Sequence, residues 1–115
     1  MDSPPISREM TEVLMERRLE LIRGEERKQV VLRIGVPVQD VETAGGRDWR
    51  CPVLFTGLGK RPFPAVGVDA LQAVTHALFA ARVEAEAVER ETGGHFAWLD
   101  HEGHGLPRIE LNIRP

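Results

Sequence analysis

Between Gln29 and Gln39 apolar and polar residues alternate. Val30, Leu32, Ile34, Val36 and Val38 fall on one side, with Arg33, Gly35 and Pro37 on the other. A period of two marks a strand with one buried face. Arg17, Leu19 and Leu21 alternate in the same way against Glu16, Arg18 and Glu20, which predicts a strand over Glu16–Ile22. The polar stretch Arg23–Lys28 contains Gly24 and turns the chain back, so these two strands form an antiparallel hairpin. Ahead of them, Ile6, Met10, Val13 and Leu14 stand at helical spacing, and residues 1–15 read as an arm, loose or briefly helical. Trp49–Thr56 is a third strand, in which Pro52 argues for an edge or a bulge. His95–Asp100 is a short strand. Ile109, Leu111 and Ile113 alternate within Arg108–Arg114 and predict a last one. Asp40–Asp48, Gly57–Gly67 and His101–Gly105 read as loops or turns from their glycines and prolines.

One stretch has the other period. From Asp69 to Gly93 the chain reads as a long helix, with Asp69 as N-cap, Gln72 three residues on as in a capping box, and Gly93 to end it. At 1.5 Å per residue it is ~35 Å long, against ~20 Å for a six-residue strand. Ala70, Leu71, Val74, Ala77, Leu78, Ala81, Ala85 and Val88 form a wide stripe for a sheet. Across the helix lies a second stripe: His76, Phe79, Ala80, Val83 and Ala87. Three arrangements suit it: cover by the Ile6–Met15 segment, cover by a second copy about a two-fold axis, or simple exposure. The expected fold is therefore α+β: an antiparallel sheet of four to five strands with one long helix packed across one face, in a single domain over residues 16–115.

Composition narrows the function. A chain of 115 residues holds one core. The net charge of -3 lacks the basic field that gathers phosphates, so no nucleic acid is expected as partner. No apolar run approaches the ~18 residues of a membrane span. Cys51 is the single cysteine, which precludes an internal disulfide and suits a reducing cytoplasm. The start MDSPPISREM has no basic and apolar signal pattern, and the protein is expected in the cytoplasm.

Candidate chemistry is sparse. His95, His101 and His104, with Asp100 and Glu102, match no established ligand frame, and no metal or cofactor is expected. Cys51 shares its strand phase with Trp49, Val53 and Phe55, as a buried thiol does. Gly57-Leu58-Gly59-Lys60 lacks the spacing of a phosphate loop. Trp98 shares a face with Phe96, leaving Ala97 and Leu99 on the other, and core packing is the expectation for both Trp49 and Trp98. No catalytic residues are assigned.

Trp49-Arg50-Cys51-Pro52, Gly67-Val68-Asp69-Ala70-Leu71-Gln72-Ala73, Gly94 before Phe96-Ala97-Trp98-Leu99, and Gly105-Leu106-Pro107 together resemble a family of small bacterial domains of unknown function. The resemblance spans about residues 16–107 and implies an α+β fold with a hairpin, a third strand and one main helix. It implies no activity. The acidic helix end Glu84–Glu91 and the strand at Arg108–Arg114 depart from the family's pattern and are places for a partner.

The leading expectation is a non-enzymatic interaction module, a homodimer or an accessory to another protein, with His76, Phe79, Ala80, Val83 and Ala87 at the contact. The alternative is a small-molecule site or enzyme with a pocket between the 57–67 loop, the helix start and the 101–104 turn. Arg61, Asp69, Gln72, His101 and His104 would line it.

Overall fold

The computed structural model describes residues 5–108. Its elements in order are β1 (Val13–Arg23), β2 (Glu26–Gly35), β3 (Val38–Thr43), β4 (Gly46–Phe55), β5 (Phe63–Gly67), α1 (Ala70–Thr92), β6 (His95–Trp98) and β7 (His101–Glu102). The fold is α+β, with one antiparallel sheet of seven strands where four to five were expected. Val53 pairs with both Ile34 and Phe63, and Arg50 with both Val38 and Val66. So β5 takes one edge of β4, while β2 and β3 lie end to end along the other. From there the sheet continues through β1 and β6 to β7.

The extra strands come from stretches that read as loops. Asp40–Asp48 closes to a tight turn at Ala44-Gly45, with β3 and β4 running into it from either side. The Gly57–Gly67 loop ends in β5, whose Pro64 faces Pro52 across the ladder. Pro52 is thus on a central strand, against expectation. Its other edge meets the break between β2 and β3 around Pro37, where a missing N–H costs least. Its ring packs on Gly35, where an added Cβ would lie 2.5 Å from Pro52 Cγ. The expected strand at Ile109, Leu111 and Ile113 lies outside the described residues.

β1 also begins earlier than its alternation suggests. Val13–Met15 is extended, not part of a helical arm, because β2 is long enough to offer it partners down to Gly35. Leu14 sits at a shift in register between Val13 and Met15. The chain stays tied to the sheet before that, with Val36 N–H donating to Glu12 O at 2.7 Å and Thr11 Oγ1 to Val36 O at 2.7 Å.

The helix forms where its caps predict. Gln72 N–H donates to Asp69 Oδ1 at 2.7 Å, and Gln72 Oε1 accepts from Val68 N–H at 2.8 Å. Gly93 is left-handed (φ 73°), and its N–H donates to Glu89 O. Its buried face is turned from the one expected: Ala73, Ala77, Ala81, Ala85 and Val88 are buried, whereas Leu71 is 76% exposed. Val74 and Leu78 pack at the flank. The helix lies chiefly over β5 and β4. Small residues meet the sheet there, and the alanine row brings the backbones close. On the sheet side the core is Leu19, Leu21, Val30, Leu32, Ile34, Cys51, Val53, Phe55, Ala65 and Phe96.

Candidate functional site

The five residues of the expected pocket do not share a cavity. Arg61 lies before β5 at one end of the sheet, in a hollow of about 390 Å³ with Arg8, Phe55, Lys60, Phe63 and Glu84. Lys60 is already engaged there, bonded to Glu84 at 2.7 Å and Glu91 at 3.1 Å, and those two bonds raise its pKa. Asp69 and Gln72 are spent on the helix cap. His101 lies on β7 at the opposite end of the sheet. His104 sits under the helix, where its Nδ1 accepts from Leu106 N–H at 3.0 Å and its Nε2 is 3.6 Å from Glu86 Oε1. Among the described residues no three His, Cys, Asp or Glu side chains converge as metal ligands.

Cys51 is fully buried on β4, and its thiol donates to Gly35 O at 3.2 Å. Burial pushes its pKa up to about 11. The thiolate is the reactive form, so native Cys51 is expected to resist Ellman's reagent at pH 8 and to react only as fast as the chain unfolds. Rapid stoichiometric labelling without denaturant would contradict this. The thiol ionises first in the unfolded chain, so its contribution is constant at neutral pH. Stability then falls as pH rises from about 9 towards about 11.

The second helix stripe faces outward. Val83 is 63% exposed, and Phe79, Ala80 and Ala87 are half-buried beside it. His76 is exposed, and its Nδ1 donates to Val66 O at 2.7 Å, tying the helix to β5. The Ile6–Met15 segment does not cover this stripe. Val13–Met15 belongs to β1, and the part before it passes β4, where Arg50 Nη1 donates to Glu9 O at 2.7 Å. Arg50, only 4% exposed, also grips Asp40 through Nε at 2.9 and 3.1 Å. Arg8 Nε reaches Pro62 O at 3.2 Å.

A further surface was not singled out from the sequence. Arg17 occupies the apolar phase of β1 with Leu19 and Leu21, and a charged residue in that phase was the available signal. Its guanidinium lies 3.7 Å from the Trp98 ring centroid. Its Nη1 donates to His104 O at 3.1 Å and Gly105 O at 2.9 Å. Gly105 is needed for this fit, since a Cβ there would lie 2.5 Å from Trp98 Cε3. Beside it opens an apolar cavity of about 250 Å³, lined by Met15, Leu32, Ile34, Leu78 and Leu106.

Fold and surfaces together define a small α+β domain, a single helix on an antiparallel sheet, with its polar side chains engaged in tying elements together. Its family is the one described as Domain of unknown function (DUF6968), to which the chain belongs through a match over residues 15–108. That span encloses the stretch on which the sequence resemblance rests. No curated protein and no solved structure matches the chain. Among the described residues no helix is long and apolar enough to cross a membrane.

Proposed function

We propose that this domain is a non-enzymatic interaction module of the cytoplasm that pairs with a second copy of itself through the outer stripe of α1. The observation that carries this reading is Val83, 63% exposed beside Phe79 on a helix whose own N-terminal segment lies elsewhere. Ala80 and Ala87 flank them and let a second helix approach closely. Charge favours an antiparallel pair. The first half of the helix, Ala70–Ala81, carries no acidic or basic residue besides His76, and the second half carries Glu84, Glu86, Glu89 and Glu91 against Arg82 and Arg90, a net acidic balance. Antiparallel packing keeps the two acidic halves apart and sets each beside the positive end of its partner's helix. The engagement of Asp69, His76, His104 and Cys51 in caps, ties and core supports a structural use of the groups that chemistry would need.

Size-exclusion chromatography with light scattering tests the reading. The chain is expected to run as a dimer whose dissociation constant rises at least 30-fold, ~2 kcal/mol, in Phe79→Glu and in Val83→Glu. Circular dichroism should report an unchanged fold. A monomer at every concentration, indifferent to both substitutions, would remove it.

A further inference from the structure

β1 pairs with β2 along its whole length, but with β6 only at Glu20, Leu21 and Ile22. Among the described residues the outer edge of Val13–Arg18 therefore meets no strand. The three end strands of the sheet are protected: β3 carries Asp40 and Glu42, β5 is short, contains Pro64 and has its Val66 carbonyl taken by His76, and β7 is only two residues long. The β1 edge holds no proline, and among the described residues Gly105–Pro107 approach it on the helix side, at Arg17 and the cavity wall. Val13, Leu14 and Met15 are exposed along it at 42%, 46% and 41%. The apolar cavity beside Arg17 opens on this same stretch, with Met15 in its wall.

We infer that the outer edge of β1 and the adjoining cavity accept an extended peptide segment of another protein, with aliphatic residues at alternate positions and acidic residues between them. An added strand takes affinity from main-chain hydrogen bonds and specificity from pockets that receive every second side chain. Side chains on the helix side of that strand meet the cavity formed by Met15, Leu32, Ile34, Leu78 and Leu106, which has room for a large aliphatic group. Side chains on the other side lie beside Arg18. Glu16, its neighbour on that face, is committed to Arg33 at 3.4 Å. Arg18 is exposed and has no carboxylate partner among the described residues, so the edge carries unbalanced positive charge. Arg17 lies on the opposite, helix side, its guanidinium held by carbonyls and a ring. The register shift at Leu14 bends the edge, and with Arg18 it limits indiscriminate pairing.

Amide hydrogen exchange on the full chain, with and without the peptide acetyl-Val-Glu-Val-Glu-Val-amide, tests this. Alternate amides of Val13–Arg18 are expected to slow at least ten-fold when the peptide binds. Arg18→Glu should weaken that peptide at least ten-fold, and a lysine-for-glutamate peptide should recover binding to the variant. Phe79→Glu should leave peptide binding intact, which separates this site from the helix stripe. No slowing with peptide overturns the inference. So do edge amides already protected in the free chain at the lowest concentration, which would mean an occupant from the chain itself. Protection that grows with protein concentration alone would mean a second copy on the edge, and overturns it equally.

Discussion

Gly67→Ala is expected to destabilise the domain by about 3 kcal/mol, the upper end of the cost of overfilling a packed site. Gly67 ends β5 under the first turn of α1. An added Cβ would overlap the Ala73 backbone nitrogen and lie 2.8 Å from the Gln72 carbonyl carbon and 2.9 Å from Ala73 Cα. Those atoms belong to the helix backbone, and no rotamer change can make room. Relief requires α1 to lift from β5, which would strip contact from the buried row of Ala73, Ala77 and Ala81 as well. Urea denaturation followed by circular dichroism measures the loss. Gly45→Ala is the control: nothing lies within 4 Å of a Cβ there, and the change should stay within about 0.5 kcal/mol. Equal stability of the two variants would mean that the helix does not sit this close to the sheet.

Phe96→Ala is expected to cost about 4 kcal/mol, much of the 5–15 kcal/mol that holds an ordinary domain folded. Phe96 is fully buried on β6, pairs with Leu21 across β1 and meets the Phe55 ring at a centroid distance of 6.2 Å. It links the far side of the sheet to the centre of the core. Glu89 near the helix end helps to set its position, with Oε2 accepting from Phe96 N–H at 2.8 Å. Removing the ring leaves a cavity that close-packed neighbours fill only in part. The urea midpoint should fall with little change in slope. A loss below about 1 kcal/mol would place Phe96 outside the core.

Much of this was legible in the chain. Asp69, Gln72 and Gly93 mark the helix because capping is local, each partner lying within four residues. Val30, Leu32 and Ile34 on β2, with Leu19 and Leu21 on β1, reveal their buried faces because side chains alternate whatever the strand pairs with. The outer stripe of α1 was legible for the same reason. The expected ligand pocket was not realised as one site, because nearness of Arg61, Asp69 and His101 depends on strand order, which no local pattern encodes.

By itself, then, the sequence determined the α+β class, the helix with its ends, and the phase of the hairpin strands. These follow from backbone sterics and from periods of two and 3.6 that act between near neighbours. Only the tertiary structure decided that Phe63–Gly67 is a strand and that Val13–Met15 extends β1. It also decided which alanines face the sheet and that Arg17 stacks on Trp98. Each depends on a partner distant in the chain: β5 exists because β4 offers a ladder, and the helix is turned because Gly67 allows close approach at that place. Distant partners also decide that, among the described residues, no strand pairs with the outer edge of Val13–Arg18, and that edge could not be read from any stretch alone.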